Sequence, residues 1–414
     1  MTAPPGPFRA QFWRSPLRGP WLTSAVGTAL LLLVAIVAVT GFLSHAAYEP
    51  DLRGNAIVPA AADLPITFGW PTSPSWLYAL NQSLHVNVGL AAVPFLLAKL
   101  WSVIPRLFAW PPVSSLAQAL ERAGIALLVA SAVFQFATGI ANVQHWYAFH
   151  FNFVVAHYYG GVVFVGALVL HVLVKLPVIV RAYRRHGWLR PLRADLAHTR
   201  PEPADPHGGL APEAPDPPTL SRRGLFAFVG GASLLLLAAN AGESIGGPVR
   251  RLAFLAPRRE DFPVNKTAAA ARVTPAMVGR AYRLRLSDGA RVTELSRDEL
   301  LAMPQHTARL PIACVEGWTT TQTWSGVRLS LLAEAAGVAG ARSAFVRSLQ
   351  PVGVLSNASL SGDAIAAGDA LLALRVNGHD LALDHGFPAR IIVPGLPGVH
   401  NTKWVASIEF GPPA

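Results

Sequence analysis

Cysteine is almost missing from this chain: Cys314 is the one thiol among 414 residues. An intramolecular disulfide is therefore excluded, and so is a zinc site built on several thiolates. A solitary thiol is either a packed core residue or a ligand. Charge is scarce as well, at 14% of residues, while 52% are hydrophobic and the mean hydropathy is +0.38. That balance is too apolar for an ordinary soluble protein and implies membrane spans. Acidic residues number 23 against 34 lysines and arginines, a net charge of +11. Much of the excess flanks apolar runs, where the positive-inside rule accounts for it, so no nucleic-acid partner is expected.

The length allows two or three domains, and the apolar runs divide the chain. The basic, Pro/Gly-rich start holds Arg9, Arg14 and Arg18 and leads into a run over about 21–43. This run can cross a bilayer and has no convincing cleavage site of a secretory signal. Three more spans are predicted near 77–104, 116–143 and 151–180, followed by Arg181, Arg184, Arg185, Arg190 and Arg193. Basic flanks at both ends of the four-span unit 1–190 put both ends in the cytoplasm and the 45–76 loop outside.

Histidines within these spans are expensive unless they have a partner. His85, several residues into the second span, and His157, at a similar depth in the fourth, suit the two sides of a six-coordinate haem. Glycines 89, 160 and 161 stand nearby and leave room for a flat macrocycle. Polar contacts between close-packed helices are the alternative reading. His171 lies fourteen residues beyond His157, about 21 Å along the same helix, and is the candidate for a second haem. Its counterpart on the second span is Lys99, and the third span holds no histidine. His45, His145 and His150 are expected at the outer surface. Residues 1–190 resemble a cytochrome b561-type bundle, which implies haem b, a membrane lipid environment and quinone or quinol as redox partner.

Residues 191–220 are rich in proline and alanine and are expected to form a solvated cytoplasmic linker, with His198 and His207 incidental to function. At 221–247 a short apolar stretch follows Ser221-Arg222-Arg223-Gly224. It reads either as a twin-arginine-like export signal in mid-chain or as an ordinary fifth span. Both readings place the rest of the chain, from 251 onward, in an extracytoplasmic position.

From 251 to 414 the pattern changes to short strands, as at 281–286 and 389–393, with helices at 297–303 and 329–336. The expected fold is a mixed α+β domain behind a helical transmembrane bundle. Two motifs stand out within it: Ala313-Cys314-Val315-Glu316-Gly317-Trp318, continued by Trp324-Ser325-Gly326-Val327-Arg328-Leu329, and His385-Gly386-Phe387-Pro388-Ala389-Arg390, continued to His400-Asn401-Thr402-Lys403-Trp404. Together they resemble the molybdopterin domain of the sulfite oxidase family, including its bacterial methionine-sulfoxide-reductase branch. The resemblance implies that Cys314 gives a thiolate to molybdenum. It also implies that His385, Arg390, Asn401, Lys403, His400 and Asn265 hold the pterin and its phosphate. A tyrosine often found near the metal in this family has no clear match in 347–353, where Arg347 could serve an oxyanion or a surface pair.

The expected protein is a multi-pass cell-membrane enzyme passing electrons between a quinone pool, haem b and an external molybdopterin, and reducing an S-oxide or N-oxide. Oxidation of sulfite or a similar anion is the alternative. A non-enzymatic electron-transfer cytochrome with a docking domain is the alternative from another class.

Overall fold

The computed structural model describes residues 3–204, 210–353 and 355–411; His207 lies outside them. Among the described residues five helices are long and apolar enough to cross a membrane: α1 (Pro20–Ala47), α2 (Leu77–Leu107), α3 (Leu116–Val143), α4 (Phe153–His186) and α5 (Arg222–Ile245). They coincide with the runs read from the sequence. The chain divides into two compact units, which cut across these helices.

The first unit takes the chain up to Ala38 and Val86–Ala239. Four helices meet in a small core of Val34, Leu96, Ala132 and Phe164, one residue from each of α1 to α4. A second cluster, Trp21, Leu22, Val26, Ala98 and Val229, brings in α5. Leu32, Leu97, Leu127, Leu170, Leu173 and Leu234 point outward and exposed, as befits helices whose solvent is lipid. The 191–220 stretch is not wholly solvated. Glu202 is buried, and its carboxylate accepts from the Trp21 (2.9 Å) and Leu22 (3.4 Å) amides, satisfying two of the unpaired donors in the first turn of α1.

The second unit takes Val39–His85 and Asn240–Ala414. Its frame is two five-stranded sheets. In the first the order is β2 (Val292–Ser296), β1 (Arg283–Ser287), β10 (Val405–Phe410), β5 (Ser343–Ser348) and β6 (Asn357–Ser361), with β1 and β10 parallel and the other pairs antiparallel. In the second, β3 (Gln305–Ala313), β4 (Thr319–Arg328), β7 (Leu371–Val376) and β8 (His379–Asp380) follow one another, and β9 (Arg390–Ile392) pairs with β7. Short helices α6 (Arg297–Ala302), α7 (Leu329–Ala335) and α8 (Gly362–Ala366) fill the connections. Alternation along β7 is two-sided: Leu372 and Leu374 enter the main core, whereas Leu371 and Ala373 enter a second cluster. A strand buried on both faces has no polar phase.

The stretch between α1 and α2 is built into this unit. Ala47, Trp70 and Tyr78 belong to the same core cluster as Leu284, Leu360 and Ile391. Trp70 Nε1 donates to Gly395 O at 2.8 Å. Asn55 and Ser359 exchange two hydrogen bonds, Asn55 Nδ2 to Ser359 O (3.1 Å) and Ser359 N to Asn55 Oδ1 (2.8 Å). His45, expected at the outer surface, is buried with its Nε2 2.9 Å from Asp63 Oδ1.

Candidate active site

Cys314 sits at the tip of the β3–β4 hairpin. Ala308, Leu310 and Ile312 share one face of β3, and Cys314 is the next residue in that phase, so its thiol joins Trp324, Ala373 and Ile392. The Cys314 amide donates to Trp318 O (2.9 Å) and the Gly317 amide to Cys314 O (3.0 Å). That closure needs φ +102° at Gly317, which glycine adopts freely. Glu316 Oε2 accepts from Trp318 Nε1 (2.8 Å) and Arg258 Nε (2.9 Å), bracing the tip. Ser244 Oγ donates to Gly317 O (2.7 Å) and Gln82 Nε2 to Val315 O (3.3 Å). Burial, and secondarily Glu316, push the thiol well above its ordinary range. A metal cation reverses that preference, because a coordinating thiol is deprotonated.

The second motif supplies a groove beside the tip. Arg390 is buried in β9; its Nε donates to Asn401 O and its Nη1 to His385 O, both at 3.2 Å, and its guanidinium lies 5.6 Å from the Trp324 ring centre. Lys403 Nζ donates to Lys266 O (2.9 Å) and Asp384 O (2.8 Å). Both cations thus rest on neutral carbonyls. Burial lowers Arg390 to about 9. Burial, then the Arg390 charge, lowers Lys403 to about 6. His385 stacks on Phe262 with centroids 3.6 Å apart, and burial followed by Arg390 takes it down to about 4.

Asn401 Oδ1 accepts from the Val393 amide (2.8 Å), while its Nδ2 is buried without a partner. Thr402 Oγ1 and His385 Nδ1 are in the same condition. Asn265, Lys266, Arg390, Gly398, Asn401 and Lys403 line one groove. Asn265 Oδ1 itself accepts from the Lys266 amide at 2.9 Å. His400 is buried, taken down to about 4 chiefly by burial, and meets the Tyr48 ring at 6.2 Å. A Cβ at Gly398 would lie 2.8 Å from Ala313 O, so the 398–403 loop is pressed against the residue before Cys314. Among the described residues neither Arg390 nor Lys403 is in an ion pair with a carboxylate within 4 Å, and with several orphaned polar atoms they fit a polyanionic, phosphate-bearing ligand next to the thiol.

The histidines of the spans lie elsewhere. His85, on α2, has its Nδ1 3.4 Å from Thr40 Oγ1, with its ring against Gly41. His157, on α4, has its Nδ1 2.9 Å from Thr138 Oγ1, with Gly139 alongside. Thr138 Oγ1 also donates to Phe134 O at 2.7 Å. His171, in the same helix, has Lys99, Lys175 and Glu121 as charged neighbours, and Lys99 Nζ donates to Thr23 O at 2.9 Å. Arg347 is exposed with its guanidinium 4.9 Å from the Phe345 ring centre, and it does not line the groove. Tyr48 and Trp70 stand in the 45–76 stretch, which reads as a loop, and Tyr78 and Gln82 at the start of the second span, where nothing in the sequence marks them. A Thr-Gly pair, Thr40-Gly41 or Thr138-Gly139, lies beside each of His85 and His157.

Residues 271–412 match the family model described as an oxidoreductase molybdopterin binding domain. An uncharacterized oxidoreductase, YuiH, of Bacillus subtilis (strain 168) is 35% identical over 117 residues, 28% of this chain and 58% of that protein. The mitochondrial sulfite oxidase of Drosophila melanogaster is 30% identical over 152 residues, 31% of this chain and 26% of that enzyme. Among solved structures, the sulfane dehydrogenase SoxCD from Paracoccus pantotrophus aligns at 24% identity with a TM-score of 0.29, covering 32% of this chain and 38% of that one. The chain thus spans about a quarter of the fly enzyme and little over half of the bacterial relative. The match removes the reading of the C-terminal part as a docking module without chemistry. With the cysteine hairpin and the cationic groove, it identifies residues 271–412 as a molybdopterin-binding oxidoreductase domain of the sulfite oxidase family.

Proposed function

We propose that the chain is a membrane-bound molybdenum oxidoreductase that passes electrons between a quinone pool, haem b and an extracytoplasmic molybdopterin, and reduces an S-oxide or N-oxide. The observation that carries this reading is the buried Cys314 beside a groove whose cations, Arg390 and Lys403, rest on neutral carbonyls. Molybdopterin supplies oxygen-atom exchange coupled to two-electron redox change at the metal. The chain's own residues hold it there. Cys314 offers the thiolate, a soft ligand suited to the metal. Arg390 and Lys403 neutralise the phosphate, and Asn401, His385 and Asn265 supply polar contacts to the pterin. His400 lies within the closing loop, buried against the Tyr48 ring.

Five long apolar helices support the membrane location, and the arginines around the first four and before the fifth favour an external C-terminal domain. His85 and His157 are the proposed haem ligands, a reading supported by their depth in the second and fourth apolar runs of the sequence. His171 is left out of this pair, since its neighbour Lys99 is bound to a backbone carbonyl. A lipid bilayer and quinol complete the proposed partners. Sulfite oxidation is the second reading, favoured by relatives that bear that name.

The test is metal, pterin and haem analysis of detergent-purified protein beside its Cys314→Ser variant. Molybdenum, pterin and a Soret band are expected in the unaltered protein. Cys314→Ser is expected to lose at least about 100-fold in S-oxide turnover while keeping its haem. Full turnover in the variant, or an unaltered protein without molybdenum, overturns the reading.

A further inference from the structure

The cysteine hairpin closes on itself through Cys314 O and Trp318 O, which accept from the Gly317 and Cys314 amides. Val315 O and Gly317 O take no part in that closure. They accept instead from side chains near the ends of two long helices that fold into this unit, Gln82 Nε2 of α2 (3.3 Å) and Ser244 Oγ of α5 (2.7 Å). Both donors are buried, and both lie outside the 271–412 stretch that matches the family model. Each is itself held. Gln82 Oε1 accepts from Ser44 Oγ (3.3 Å) and from Tyr78 Oη (3.5 Å), which turns the amide nitrogen toward Val315. Ser244 follows Glu243, whose Oε1 accepts from the Arg258 amide (3.3 Å), and Arg258 Nε donates to Glu316 Oε2 (2.9 Å). The residues that follow Cys314 are thus tied to α2 at Val315 and to the end of α5 at Gly317. A buried hydrogen-bond network of this kind rigidifies what it holds.

We propose that Gln82 and Ser244 are positioning residues for the molybdenum thiolate: by holding Val315 O and Gly317 O they fix the conformation of the hairpin tip, and with it the place of the Cys314 sulfur. This rests on the molybdenum reading above and deepens it, because the support of the metal ligand then comes from two long apolar helices as well as from the domain that binds the cofactor. Contacts behind a ligating side chain orient it and tune the metal, so their loss is felt in the chemistry and in the spectrum of the site. Removing either donor leaves a buried carbonyl without it, a cost that falls on the tip itself.

The chain has one thiol, so alkylation by iodoacetamide reports on Cys314 alone. Full-length protein from cells unable to synthesise molybdopterin is compared with its Gln82→Leu and Ser244→Ala variants by alkylation rate. The cofactor-loaded forms are compared by viologen-driven turnover of dimethyl sulfoxide per molybdenum, which needs neither haem nor quinol, and by the EPR spectrum of the metal. Tyr282→Phe is the control, since it deletes a buried hydrogen bond outside the hairpin, that to Val405 O (2.7 Å). Gln82→Leu and Ser244→Ala are expected to alkylate about tenfold faster than the unaltered protein. Once loaded, they are expected to lose about tenfold or more in turnover per molybdenum and to give a changed EPR spectrum. Ser244→Thr keeps the hydroxyl and is expected to stay within about threefold of the unaltered protein in both rates. Gln82→Leu and Ser244→Ala that alkylate within about twofold of the unaltered protein and give its spectrum overturn the proposal. Effects of the same size in Tyr282→Phe overturn it as well, because general loosening then explains them. So does a fall in molybdenum content alone, with turnover per molybdenum and spectrum kept, since the two residues then serve retention of the cofactor. An unaltered protein without molybdenum overturns the underlying reading instead, and the alkylation rates still decide whether the two residues hold the tip.

Discussion

Arg390, Lys403, His385 and His400 are basic groups whose burial favours their neutral forms, which is the reverse of what buried charge does when it has a fixed counter-ion. Lowered pKa values make these groups bind fewer protons when folded than when unfolded. Stability therefore rises with pH wherever the unfolded chain still holds the extra proton. For His385 and His400 the window runs from about 4 up to the ordinary histidine range; for Lys403 it runs from about 6 up to the ordinary lysine range. Cys314 works the other way, but only above the ordinary thiol range. Protein made in cells unable to synthesise molybdopterin is thus expected to gain thermal stability from about pH 5 to about pH 8. The gain should shrink when the anionic cofactor is present, because the cations then have a partner. A melting temperature of the cofactor-free protein that is flat or falling over that range contradicts this account.

Among the elements, the β3–β4 hairpin and the 398–403 loop decide whether the thiol and the cations meet. Their closest approach is at Gly398, where an added methyl would strike the Ala313 carbonyl, a backbone atom that cannot rotate away. Gly398→Ala is expected to cost about 1–3 kcal/mol and to lower molybdopterin content. Denaturant titration and metal analysis check both. Much at this scale was legible in the sequence. The helices expected at 297–303 and 329–336 are α6 and α7, and the strands expected at 281–286 and 389–393 overlap β1 and β9. Local propensity and turn residues suffice for such elements. The pairing order was not legible. The parallel contact of β1 with β10 joins the start of the domain to its end, a consequence of packing rather than of either strand's own sequence.

At the scale of the molecule, a chain that reads as membrane bundle, linker and external domain folds into two units whose boundaries cross the helices. The stretch 45–76 reads as a loop between two apolar runs, yet Trp70 is buried with its indole donor satisfied by Gly395. Removing a buried aromatic of this size typically costs about 3–5 kcal/mol. Residues 251–414 produced alone should therefore lose at least about that much stability, seen as a lower denaturant midpoint and faster proteolysis than the same stretch shows within the full chain. An equal midpoint would mean that the 39–85 segment only lies on the domain and does not belong to its core.

The sequence by itself determined the positions of the long apolar helices, the mixed α and β nature of the C-terminal part, and the two motifs around Cys314 and His385. These are local matters: hydropathy over a window, alternation over a strand, and residues adjacent in the chain. Only the tertiary structure decided that Arg390 and Lys403 share a groove, that Gly398 abuts the cysteine hairpin, and that Gln82 reaches the Val315 carbonyl beside Cys314. Those relations join residues far apart in the chain. They are fixed by which faces must bury one another, and no window along the chain contains that information.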